Sequence, residues 1–193
     1  MEQSTGNGHW EQVMKKISVA LLLGWLTIAL AGCATTPPKP PLRPVAKVDL
    51  PRFMGDWYVI AHIPTFIEKG AYNAIESYRL NEDGTIATTF TFNRDALDGP
   101  VKTYNPKGFV RNTATNAEWG MQFVWPVKAE YLIVYLDEQY RHTIVARDQR
   151  DYVWIMSRTP HISAADYDSL AERVRTMGYE ANLLRRVPHR PNP

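Results

Sequence analysis

Cysteine occurs once in the 193 residues, at Cys33. A single thiol excludes an intramolecular disulfide framework and any Cys-rich zinc or iron-sulfur site. Charge of one sign is equally short: 22 basic side chains against 20 acidic ones leave a net charge of +2, too even for the field that nucleic acid or a strongly acidic partner would need. The longest apolar run, residues 17–32, has sixteen residues, fewer than the about 20 that span a bilayer as a helix. No Gly-x-Ser-x-Gly elbow, His-Glu-x-x-His pair or phosphate-binding loop is present, and His62, His142 and His161 show no i, i+4 pairing. Arg147, Asp148, Arg150 and Asp151 share one turn and read as a solvated hairpin rather than an acid–base pair. No catalytic residue, metal site or cofactor is assigned.

What is there begins with targeting signals. Residues 1–13 are polar and patternless and read as an upstream extension, with translation expected to start at Met14. Residues 14–32 have signal-peptide anatomy: Lys15 and Lys16, the apolar run, then small residues. Leu30-Ala31-Gly32-Cys33 resembles the bacterial lipobox, in which the chain is cut before a cysteine that receives a diacylglyceryl group. The resemblance implies that Cys33 is the lipidated first residue of the mature protein. By the same resemblance, Ala34, where Asp would imply the inner membrane, implies the outer membrane of a bacterial cell; a periplasm-facing anchor is expected, though Ala34 does not set the face. Residues 34–47 hold five prolines and read, with Cys33, as an extended tether, able to reach roughly 40 Å at about 3.1 Å per residue.

From Val48 the apolar pattern has period 2 with frequent turn residues, which predicts antiparallel strands rather than βαβ units. Eight are expected: 57–64, 73–80, 85–93, 101–111, 118–126, 130–137, 142–148 and 152–159. Pro106 and Gly108 predict a bulge or edge in the fourth. Ser163 with Asp166 three residues on, followed by Tyr167, Leu170, Val174 and Met177, predicts one amphipathic helix, ended by Gly178 and packed outside the sheet. A short strand near 183–187 should follow, with 189–193 as a tail. The expected architecture is all-β, an eight-stranded up-and-down antiparallel barrel over 48–188 with one C-terminal helix.

Three stretches then carry a family resemblance. Gly55-Asp56-Trp57-Tyr58 resembles the Gly-x-Trp motif of the lipocalins, Asp137 and Tyr140 resemble their second motif, with Leu136 where a Thr is usual, and Arg158 resembles their third. GDWYVIAHIP, YLDEQYRHTIV and DYVWIMSRTP are most similar to the bacterial outer-membrane lipocalins and their apolipoprotein D relatives. The resemblance implies that Trp57 fills the closed end of the barrel with Arg158 across its face, a structural plug worth about 0.5 to 2 kcal/mol as a cation–π contact. It further implies binding, storage or transport of small hydrophobic ligands, a fatty acid such as palmitate or a lysophospholipid, for envelope maintenance.

If Trp57 and Arg158 point inward, alternation places Val59, Ala61 and Ile63 inside from the first strand and Tyr152, Trp154 and Met156 from the eighth. The same rule offers Glu76 and Tyr78; Ile86, Thr88, Phe90 and Phe92; Met121, Phe123 and Trp125; and Tyr131, Ile133 and Tyr135. The expected ligand-binding set is Val59, Ala61, Tyr78, Phe90, Phe92, Met121, Phe123, Tyr131, Ile133, Trp154 and Met156, an aromatic and Met-rich lining suited to acyl chains. Phe66, Ile67 and Tyr72 lie in a loop that would lid the open end. An apolar loop of this kind is also compatible with a homodimer. Two other readings stay open: a barrel filled by its own side chains, serving as a structural or interaction lipoprotein, and a lipid-modifying enzyme.

Overall fold

The structure, a computed structural model, describes residues 39–191, so the lipobox, Cys33 and the signal segment lie outside the described residues. Among the described residues no helix is long and apolar enough to cross a membrane. Residues from Pro40 onward form one compact unit.

The eight expected strands are present as β1 (Gly55–Ile63), β2 (Ala71–Leu80), β3 (Thr85–Arg94), β4 (Val101–Tyr104) with β5 (Lys107–Val110), β6 (Glu118–Val124), β7 (Val127–Leu136), β8 (His142–Ala146) and β9 (Val153–Ser157). Each pairs antiparallel with the next, and β1 pairs with β9, which closes the sheet into a barrel with only β4, paired to β3 alone, off the closed path. The fourth strand breaks at Asn105-Pro106, where proline cannot donate to the ladder: β4 pairs with the second half of β3 and β5 with the first. A two-residue β10 (Arg185–Arg186) adds to β1.

A four-residue helix, α1 (Leu50–Phe53), precedes the barrel. Asp49 caps it by accepting from Arg52 N, and Pro51 fits its first turn, a signal legible in Asp49-Leu50-Pro51 that the strand pattern overshadowed. The C-terminal helix, α2 (Ala164–Thr176), begins where expected: Ser163 Oγ accepts from Asp166 N at 3.0 Å. Its buried residues Leu170 and Val174 pack with Ile60, Ile144 and Ile155 in a core between helix and barrel wall. A second core, with Phe53, Trp57, Trp119 and Phe92, fills much of the barrel interior.

Residues 42–47, expected within a free tether, are held against the barrel. Leu42 N donates to Asp148 Oδ1 at 2.6 Å, Val45 N to Ile133 O at 2.9 Å and Val48 N to Thr115 O at 2.7 Å, while Leu42 is buried in the outer core. Residues 42–48 are therefore laid along the barrel rather than free.

Backbone bulges correct several inward assignments. Between Val59 and Ala61 the pairing with β9 slips by one residue, Val59 opposing Met156 and Ala61 opposing Ile155. One extra residue reverses every facing beyond it. Ala61 and Ile63 therefore pack in the outer core, and His62 is the residue brought to the interior side. A second slip, between Ile133 and Tyr135, puts Tyr135 outside, under the Arg173 guanidinium at 4.4 Å. Trp125 lies in the β6–β7 turn and is 83% exposed rather than inside. Tyr72 belongs to β2 rather than to the lid.

Candidate functional site: a half-filled barrel

One end of the barrel is sealed from within. Trp57 is fully buried, its Nε1 donates to Phe53 O at 2.8 Å, and the Arg158 guanidinium lies 3.9 Å from its ring centre. Arg158 also donates to the carbonyls of Arg52, Phe53 and Asp56 at 2.8 to 3.0 Å, so one side chain ties α1 to β1. Burial opposes its charge, and Asp56 partly offsets that. Gly55 has φ +89°, and a Cβ there would sit 3.5 Å from Arg158 Nη1. Asp137 accepts from the backbone N–H groups of Arg141 and His142, and the Tyr140 hydroxyl accepts from Asp49 N at 2.9 Å. Trp119, which the inward set omitted, is also fully buried; its ring stacks on Tyr131 and its Nε1 donates to Asn116 O.

The other end is open and holds a cavity of about 240 Å³, below the roughly 300 Å³ at which drug-sized ligand pockets begin. Its walls are Met121, Met156, Trp154, Tyr131 and Ala129; its rim is Phe66, Ile67, Phe123, Val124, Tyr152 and Arg147. Of the expected set, Met121, Phe123, Tyr131, Trp154 and Met156 line the cavity. Val59, Tyr78, Phe90, Phe92 and Ile133 lie in the packed interior instead, and Ala61 outside it. Phe66 and Val124 are largely exposed at the mouth, as expected for residues that neither core can reach.

Polar groups in the cavity are few and organised. Glu68, from the β1–β2 loop, is buried and accepts from Trp154 Nε1 at 2.8 Å and from Thr65 Oγ1 at 3.1 Å, with His62 Nδ1 at 2.9 Å. Neither His62 nor Glu68 was legible beforehand: the bulge that turns His62 inward leaves no mark on apolar periodicity, and Glu68 is a charge within an apolar loop. Glu76 accepts from the Tyr78 hydroxyl, whose oxygen lies 2.5 Å from that of Tyr131. Desolvation by burial, with a smaller push from Glu68, outweighs the Tyr78 bond and raises the Glu76 carboxyl to about 7. Tyr78 and Tyr131 are pushed well above the usual phenol range by burial and by the Glu76 charge. At the rim, Arg147 Nη1 pairs with Asp151 at 3.1 Å, and the Tyr179 hydroxyl accepts from Arg147 N at 3.0 Å. Among the described residues no cluster of His, Cys, Asp and Glu could hold a metal ion.

A sealed end, an apolar pocket at the other and a helix outside define a small-ligand binding barrel. The chain belongs to the lipocalin family: the lipocalin-like domain matches residues 48–189. It is 32% identical over 154 residues to the outer membrane lipoprotein Blc of Escherichia coli K12, covering 74% of this chain and 81% of the relative. Temperature-induced lipocalin-1 of Arabidopsis thaliana is 29% identical over 167 residues, covering 80% and 87%. The solved structure of insecticyanin from the tobacco hornworm Manduca sexta superposes with a TM-score of 0.60 at 16% identity, covering 77% of this chain and 84% of that one, a likeness of fold. The family makes this chain a binding protein for small hydrophobic ligands and not an enzyme.

Proposed function

We propose that the protein is a lipid-anchored lipocalin of the bacterial outer membrane, facing the periplasm, that takes up single-chain lipids, a fatty acid or a lysophospholipid, and stores or moves them for envelope maintenance. The observation that carries this reading is the open, Met- and aromatic-lined cavity, whose walls offer dispersion contacts and flexible sulfur side chains to an alkyl chain. Each CH₂ buried there is worth about 0.8 kcal/mol, so a chain only partly enclosed still binds after its ordering cost. The lipobox resemblance at Cys33 and the outer membrane lipoproteins among the relatives support the anchor and its location. The exposed rim residues Phe66, Val124 and Trp125 are compatible with a homodimer formed at the mouth.

The test is native mass spectrometry of the unit from Pro40 onward, titrated with fatty acids and lysophospholipids. Stoichiometric adducts that Trp154→Ala or Met156→Ala weakens are expected. A folded barrel that takes up neither class would leave a structural or interaction lipoprotein as the better reading. The packed interior around Phe53, Trp57, Phe90 and Phe92 is the specific feature that favours that alternative.

A further inference from the structure

The polar groups of the cavity are unevenly placed, with its one lining cation at the rim and an uncompensated carboxyl at its inner end. Among the lining residues Arg147 is the cation: at the rim, where Glu130 also stands, its Nη1 pairs with Asp151 at 3.1 Å, while its Nε is buried without a hydrogen-bond partner among the described residues. At the inner end stands Glu76, opposite Trp57 on β1 and Phe90 on β3, where the packed interior begins. Its bond comes from Tyr78, and among the described residues no lysine or arginine pairs with it. Glu68, from the β1–β2 loop at the open end, is near enough to push the Glu76 carboxyl upward and is already bonded to Thr65, Trp154 and His62.

A ligand carboxylate or phosphate seated at the inner end would therefore face Glu76 and no contacting cation, in a space from which the ligand expels water. The same group at the rim meets Arg147. We propose that Glu76 sets the direction in which a single-chain lipid binds: tail first, with its anionic group, carboxylate or phosphate, left at the rim against Arg147 and its chain lying over a protonated Glu76. This rests on the lipid-binding reading above and adds to it a ligand polarity and a coupled proton.

An alkyl chain cannot solvate a carboxylate, so closing a chain over Glu76 favours the neutral acid. A carboxyl already raised to about 7 needs little further push. The proton comes from solvent and ends on a Glu76 carboxyl oxygen; no other bond forms or breaks. The groups facing Glu76 are Tyr78 on its own strand, Tyr131 on β7, Glu68 from the β1–β2 loop with His62 behind it, and Arg147 and Glu130 toward the rim. β1 and β3 present Trp57 and Phe90, which do not titrate. The two phenols stay protonated through the neutral range, since burial pushes both upward.

The experiment measures calorimetric binding of lysophosphatidylglycerol, whose phosphodiester charge is constant from pH 6 to 8.5. The unit from Pro40 is suitable because it contains the whole closed sheet and both cores. Wild-type affinity should weaken by up to about 30-fold over that range, the limit for one proton on a group near 7, and two buffers of different ionisation enthalpy should report proton uptake on binding. Glu76→Gln, which still accepts from Tyr78, should bind at every pH as the wild type binds at pH 6 and take up no proton. Arg147→Gln should weaken lysophosphatidylglycerol by about tenfold and a monoacylglycerol of the same chain little. Palmitate run beside lysophosphatidylglycerol shows whether carboxylate or phosphate suits the rim better. Melting curves at pH 6 check that each variant is folded. Tight binding with a flat pH profile, a pH dependence that survives Glu76→Gln, or equal loss of both lipids in Arg147→Gln would overturn the inference while leaving lipid binding intact. A wild-type barrel that binds none of these lipids at pH 6 would overturn the lipid-binding reading and this inference with it.

Discussion

The two ends of the barrel are built from similar residues and come out opposite. At the sealed end Trp57 and Trp119 each have an indole N–H that meets a backbone carbonyl, of Phe53 and Asn116, so large rings are buried with nothing unsatisfied. At the open end Trp154 has no such carbonyl and bonds instead to the side chain of Glu68, while Trp125 stays in solvent. Bulges account for part of the difference. Slips between Tyr72 and Ile75 and between Met121 and Val124 lie toward the mouth and that between Val59 and Ala61 at mid-strand, where they re-aim side chains, while the slip between Ile133 and Tyr135 lies toward the sealed end. A barrel of one composition thus becomes plug or pocket according to whether the backbone brings acceptors to its aromatic donors.

The largest effect should come from the sealed end. Trp57→Ala is expected to cost about 3 to 5 kcal/mol, read as a drop in denaturation midpoint, because it empties a close-packed site and removes the face under Arg158. Lipid binding by the fraction that remains folded should change little, and a variant with normal stability but lost binding would break the division between the ends.

Next comes the charge between them. Glu76 at about 7 folded and near 4.5 unfolded binds more protons in the native state, so without ligand its contribution falls as pH rises from about 4.5 through 7 and is constant above. Glu76→Gln should therefore stabilise the barrel by up to about 3 kcal/mol at pH 8 and by little at pH 4, measured by denaturant unfolding at both. A gain of equal size at both pH values would show that ionisation is not the cause.

At the pocket, Ala129→Trp should fill the cavity from its wall, keep stability within about 1 kcal/mol because the volume is available, and abolish lipid adducts in native mass spectra. Persistence of the adducts would move the ligand elsewhere. The smallest effect belongs to the exposed turn: Trp125→Ala should shift the unfolding free energy by no more than about 0.5 kcal/mol.

Much of this was written in the chain. Period-2 patterning between turn residues predicted the eight strands, Pro106 and Gly108 a bulge or edge where the fourth divides into β4 and β5, and Ser163 with Asp166 the start of α2, because these signals act within a few residues. The motifs at Gly55, Trp57, Asp137, Tyr140 and Arg158 marked the family for the same reason: each is a short stretch with a recognisable spacing. Alternation also put Met121, Tyr131, Trp154 and Met156 on the side that lines the cavity.

The facing of Ala61, Ile63 and Tyr135 went the other way, since a bulge is settled by how two strands pair across the sheet and alternation along one strand contains no trace of it. Which inward residues pack and which leave space was likewise decided in three dimensions. Phe90 and Phe92 are as apolar as Met121 and Met156, yet they pack against each other with ring centres 5.3 Å apart, while the methionines face the pocket. The acidity of Glu76 belongs to the same class of fact. Its residue type and strand position were determined by the sequence alone. The desolvation that holds its proton came only when the closed barrel placed Tyr78, Tyr131 and Glu68 around it.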